Sequence, residues 1–153
     1  MKKYNRILAA VDFSKYTRKI VDHAVTFAQE FNAELLLVNV LNQYDIDLVK
    51  LSFNILKRVS ENLTIEGITN KLQADREEKM VKLMDEVDHL DVKSRFIIKI
   101  GSPVQELLKA VTEEEVDVVI IGAKGKNTFE EAVIGSTALK MFRRCPVTLI
   151  TVR

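Results

Sequence analysis

Glycine and proline are scarce in this chain of 153 residues, with five of the first and two of the second. It has one cysteine and no tryptophan, and its 23 Lys and Arg nearly cancel its 22 Asp and Glu. Each shortage excludes something. One cysteine rules out an intramolecular disulfide framework and fits a reducing compartment. A formal charge of +1 supplies no general field for nucleic acid or an acidic membrane surface, so an anion must be held locally. No apolar run approaches the roughly 20 residues of a membrane span. The basic start MKKYNR meets Asp12 and Lys15 too early for a signal peptide. A cytoplasmic protein with one domain over 1–153 is the expectation.

What is present is an ordinary globular balance, 47% hydrophobic and 29% charged. Five short segments rich in Ile, Leu and Val read as strands: 5–11, 33–40, 94–100, 116–122 and 146–152. Most lack clean alternation, as strands buried on both faces of a parallel sheet do. Helical patterns lie between them. Ile20, Ala24, Phe27 and Phe31 repeat behind Ser14, a predicted N-cap, and Asn32 can end that helix. Val104, Leu107, Leu108 and Val111 follow Pro103 at a first helical position, with Ser102 and Gln105 at capping-box spacing. Residues 66–90 read as a long helix with Met80, Leu83, Val87 and Leu90 on one stripe, and a short helix opens near Ser136. The stretch 41–65 is the least readable, with a helix expected at about 46–59. Alternating strands and helices imply a three-layer α/β/α fold around a parallel sheet. Ligands in such folds sit beyond the carboxyl ends of the strands, where the strand order reverses.

Three of the five glycines cluster there, as Gly122-x2-Gly125-x9-Gly135-Ser136, starting at the end of the fourth strand. Gly122 and Gly125 let the chain turn sharply and bring backbone N–H groups to a ligand. Gly135 and Ser136 open a helix whose first N–H groups and positive dipole end suit an anion. Lys124 and Lys126 add positive charge. Strand, glycine turn and helix N-terminus together suit a ribose followed by phosphates. The plainer alternative is that the glycines make turns and Ser136 caps a helix.

The chain resembles the universal stress protein family. The family's nucleotide-binding pattern, G-x2-G-x9-G-[ST], matches 122–136 without a gap. "ILAAVDFS", "LLLVNV", "GSP", "VDVVIIGAKG" and "CPVTLITV" extend the resemblance over nearly the whole chain, with 41–65 lacking a counterpart. It implies a five-stranded parallel sheet of order 3-2-1-4-5, of the adenine-nucleotide alpha-hydrolase-like kind, with ATP (or ADP or AMP) in the crevice, often with Mg²⁺. On that resemblance Ala10 and Val11 wall the base and Asp12 holds the adenine and ribose end. Val40 offers backbone groups to adenine. Gly122 and Gly125, flanked by Ile121, Ala123 and Lys126, approach the ribose and phosphates, which Gly135, Ser136 and Thr137 hold. The final strand would pair with its copy in a homodimer, through Val147, Leu149, Ile150 and Val152. Asn39 and Lys124 stand where the family often has His.

No other constellation carries chemistry. Lacking a Walker A sequence, a kinase-type catalytic loop or a Ser-His-Asp arrangement, the chain is expected to hydrolyse ATP slowly at most. Asp12, Glu130 or Glu131 are the only weak candidates to orient water. His23 and His89 lie far apart with no metal-ligand spacing around them. Cys145 reads as a packing residue, and "TEEEVD" (112–117) as a solvated helix end. The expected function is regulatory: a nucleotide-binding stress-response dimer with an unidentified protein partner. A dimeric interaction module that needs no nucleotide is the alternative, and an ATP-using ligase domain a weaker third.

Overall fold

Three runs of aliphatic residues, each buried on both sides, form the middle of the sheet. The computed structural model describes residues 4–58, 62–87, 91–126 and 134–153. Its strands are β1 (Arg6–Ala10), β2 (Glu34–Leu41), β3 (Ser94–Ile100), β4 (Val118–Gly122) and β5 (Thr148–Val152). All pairings are parallel, and the spatial order is β3-β2-β1-β4-β5. This is the order the resemblance implied. Leu35, Leu36 and Leu37 of β2 and all of β4 are buried, whereas β3 and β5 are half-buried edges.

The helices are α1 (Thr17–Phe31), α2 (Gln43–Leu56), α3 (Ile65–Asp85), α4 (Pro103–Glu113) and α5 (Ser136–Arg144). One face of the sheet packs on α1 and α3, through Ile20, Val21, Ala24, Met80 and Met84. The other packs on α4 and α5, through Val104, Leu107, Ala110, Val111 and Met141. α2 rests on α3 and the end of β2 and buries Val49.

Several boundaries depart from the sequence reading. α1 starts at Thr17 because Asp12 and Ser14 form a local turn first: Asp12 Oδ1 accepts from Ser14 N–H at 3.0 Å, and the Ser14 carbonyl from Thr17 N–H at 3.1 Å. Asn32 does close α1, in the left-handed conformation at φ 50°. Pro103 opens α4 after Ser102, whose side chain makes no cap bond, so the expected capping box is absent there. A capping box forms instead at α2, where Asn42 and Asp45 exchange bonds of 3.2 and 3.0 Å. α2 therefore begins at Gln43, three residues before its expected start. α3 ends at Asp85; Met80 and Val87 are buried as expected, and Leu90 and His89 lie outside the described residues. The acidic stretch 112–117 is tied down rather than simply solvated. Asp117 accepts from the N–H groups of Asn5 (2.7 Å) and Arg6 (3.1 Å), fixing the start of β1 beside β4.

Candidate functional site

Strand order reverses between β1 and β4, and the carboxyl ends of these neighbours open into a crevice of about 1230 Å³. Eleven of the twelve residues expected at a nucleotide site line it: Ala10, Val11, Asp12, Val40, Ile121, Gly122, Gly125, Lys126, Gly135, Ser136 and Thr137. Ala123 does not. It is buried, and its backbone ties the loop to its surroundings: its N–H donates to the Val152 carbonyl at 2.7 Å and its carbonyl accepts from Gly135 N–H at 2.6 Å. Two segments 12 positions apart in sequence, the end of β4 and the start of α5, are thereby stitched together at the crevice.

The glycine turn has a steric cause. A Cβ on Gly122 would lie 2.7 Å from the Lys124 carbonyl oxygen and 2.9 Å from Ile20 Cδ1, closer than real Cβ atoms come. One on Gly125 would lie 2.8 Å from Asp12 Oδ2. The missing Cβ atoms thus let the turn fold back on itself and against the end of β1. Asp12 completes the join, its Oδ2 accepting from Lys126 N–H at 2.9 Å and its Oδ1 from Thr17 Oγ1 at 3.2 Å.

α5 begins at Ser136 behind its N-cap Gly135, which has no side chain to cap it. The N–H groups of its first turn have no partner within the helix and carry the positive end of its dipole. Lys124, Lys126 and Lys140 stand on the same crevice wall. Gly101, Ser102 and Pro103 at the start of α4, and Asn42 to Asp45 at the start of α2, also line the crevice. Outside the crevice, Lys109, nearly two turns into α4, is held above its ordinary pKa by its hydrogen bond to the Glu106 carboxylate.

Two buried polar groups on the wall were not among the expected site residues, although Asn39 stands where the family often has His. Asn39 is 3% exposed and donates through Nδ2 to the Val11 carbonyl at 2.7 Å. Because only the amide nitrogen can donate to that carbonyl, Oδ1 is the remaining atom; it is a buried acceptor with no donor among the described residues. Arg76 of α3 pairs with Asp45 at 2.9 Å and lies 5.2 Å from the centre of the Phe13 ring. A charge inside an otherwise polar stretch of α3 looks solvated until α2 is known to cover it. Among the described residues no group of three His, Cys, Asp or Glu side chains is placed to hold a metal ion. No helix in the described residues is long and apolar enough to cross a membrane.

The model of the universal stress protein family matches residues 3–153. The chain belongs to that family. It is similar to the universal stress protein MJ0577 of Methanocaldococcus jannaschii, with 25% identity over 98% of this chain and 95% of that one. The solved structure of MJ0577 superposes with a TM-score of 0.77, at 26% identity, covering 99% of this chain and 96% of the other. Universal stress protein YxiE of Bacillus subtilis is 26% identical over 96% of this chain and 99% of its own. A universal stress protein of Archaeoglobus fulgidus solved in complex with dAMP shares the fold, with a TM-score of 0.57 at 14% identity, covering 99% of this chain and all of that one.

Proposed function

We propose that this universal stress protein binds an adenine nucleotide, ATP in the first place, in the crevice between the ends of β1, β2 and β4. The observation that carries the reading is the uncapped N-terminus of α5, presented beside the glycine turn and three lysines at the point where strand order reverses. Such a helix end lowers the energy of a phosphate through directed N–H groups and its dipole. Ser136 and Thr137 add hydroxyl groups to the same turn. Apolar walls from Ala10, Val11, Val40 and Ile121 suit the base. The buried Oδ1 of Asn39 would complement a donor such as the exocyclic amine of adenine. The complex of a family member with dAMP supports the same ligand class.

Mg²⁺ would be held chiefly by phosphate oxygens and water, since it needs only one or two carboxylates from a protein. Asp12 and Asp45 are carboxylates on the wall. Among the described residues the carboxylates on the wall, Asp12 and Asp45, are engaged by the protein's own donors, so ATP acts as a bound regulator that shifts the population of a partner-binding surface, and hydrolysis is slow at most. The setting is cytoplasmic. The protein is a homodimer through β5, an edge strand. Val152 is buried in the protomer's own core, so the backbone edge, with Val147, Leu149 and Ile150 beside it, is what a second copy would meet.

Acid denaturation of freshly purified protein, followed by ion-exchange separation of what is released, tests the reading. Near-stoichiometric adenine nucleotide is expected. An empty extract together with no response to titrated Mg·ATP would end it.

One observation favours the alternative of a nucleotide-independent module. Both oxygens of Asp12 are satisfied by the protein's own donors, which by themselves tie the glycine turn to the end of β1. Ser136→Glu separates the two, because it repels phosphate and leaves those contacts untouched. Function in cells that survives loss of nucleotide binding would favour the module.

A further inference from the structure

α2 leaves a row of large apolar side chains facing outward: Tyr44 (66% exposed), Leu48 (44%), Leu51 (55%) and Ile55 (59%). Their spacing of four, three and four residues puts them on one stripe of the helix, turned away from Val49 and Asp45, which face α3 and the end of β2. We propose that this stripe is a self-association surface on which two copies pair their α2 helices antiparallel about a twofold axis. Leu48 then meets Leu51 of the second copy, and Tyr44 meets its Ile55.

Three observations argue for a second copy as the occupant. The spacing reads the same from either end, so an isologous contact can use the whole stripe. A twofold axis between positions 49 and 50 opposes a large residue to each large residue in the heptad-like manner of paired helices. Charge runs the right way: Asp47 sits near the start of α2, and Lys57 and Arg58 at its end. Antiparallel pairing sets the Asp47 end of one helix beside the basic end of the other and opposes the two dipoles, whereas parallel pairing stacks like ends. A membrane surface fits less well, because such helices flank the apolar stripe with Lys and Arg, and here Asp47 and Asn54 border it.

The pairing has a consequence for the crevice. Tyr44 belongs both to the stripe and to the crevice wall, so Ile55 of the second copy would sit at its rim. The contact does not depend on nucleotide and is separate from β5, which lies past β4 on the far side of β1. If both surfaces pair, the assembly closes as a tetramer only when the two axes meet at right angles.

Cysteine pairing tests the register. Tyr44→Cys and Ile55→Cys are made separately, each with Cys145→Ser, then mixed, equilibrated and oxidised. The mixture should give a covalent dimer that reducing agent reverses. Each variant alone should not, because like residues would stand 11 positions, roughly 16 Å, apart along the paired helices, beyond the roughly 7 Å Cα limit of a disulfide. Leu48→Glu/Leu51→Glu should halve the mass measured by light scattering, with the urea midpoint preserved as a check on folding. A mixture that fails to cross-link, a single variant that cross-links as fast as the mixture, or an unchanged mass overturns the proposal.

Discussion

The carboxylate of Asp12, just past β1, accepts a hydrogen bond of 2.9 Å from the backbone N–H of Lys126, 114 positions away in sequence. Three protein donors share its two oxygens, the others being Ser14 N–H and Thr17 Oγ1. Asparagine has one acceptor oxygen and must turn an NH₂ toward at least one of these donors. Asp12→Asn is therefore expected to cost about 1.5–3 kcal/mol, the scale of a lost charge-assisted bond. It should also raise the hydrogen-exchange rate of the Lys126 amide. Unchanged exchange there would mean that Asp12 does not hold the turn.

Gly122 is fixed by contact with its own turn. Gly122→Ala places a methyl group against the Lys124 carbonyl and Ile20, which move only by shifting backbone and core. Overpacking of this kind costs about 1–3 kcal/mol. Urea denaturation should show that loss, and nucleotide binding should fall with it. A variant of unchanged stability would show that the turn yields easily.

The Arg76–Asp45 pair joins α3 to α2 with side chains 9% and 13% exposed. Removing one partner leaves the other charge buried, so Arg76→Met is expected to cost about 3 kcal/mol. Adding Asp45→Asn, which keeps an acceptor for the cap of α2, should recover at least about 1 kcal/mol of that. Strictly additive single and double variants would show that the pair is not coupled.

Glu34 gives a pH dependence. Burial pushes its pKa up, but hydrogen bonds from Arg95 and Lys93 and their charges outweigh this, and the net shift is downward. A depressed carboxylate stabilises the fold above its unfolded pKa, about 4.3 for Glu. That contribution is lost as pH falls through the lower folded value. The stability difference between wild type and Glu34→Gln should be steady at neutral pH and shrink progressively below about pH 4. A difference that grows on acidification would reverse the sign of the assignment.

The sheet was legible because its strands are aliphatic runs separated by helical repeats, and parallel strands buried on both faces carry that pattern. The crevice was legible because Gly122, Gly125 and Gly135 break an otherwise glycine-poor chain at a strand end. α2 was not. Its apolar residues lie on two sides, Val49 inward and Leu48, Leu51 and Ile55 outward, so no single stripe stands out. The Asn42–Asp45 box that starts it uses Asp where Glu or Gln is the usual third-position residue. Arg76 stayed hidden for a related reason: its partner Asp45 comes from a segment distant in sequence. Asn39 stood out only as a departure from the family's His, and its bond to the Val11 carbonyl was hidden in the same way.

The most direct measurement is calorimetric titration of Mg·ATP into nucleotide-stripped wild type and Ser136→Glu. Glutamate at the first position of α5 favours the helix dipole, so the urea midpoint should hold or rise by up to about 1 kcal/mol in equivalent stability. The same carboxylate would occupy the turn meant for phosphate. The account predicts one nucleotide per chain for wild type and binding at least about tenfold weaker for the variant, a difference of about 1.4 kcal/mol. No binding to wild type, or equal binding to both proteins, would contradict it.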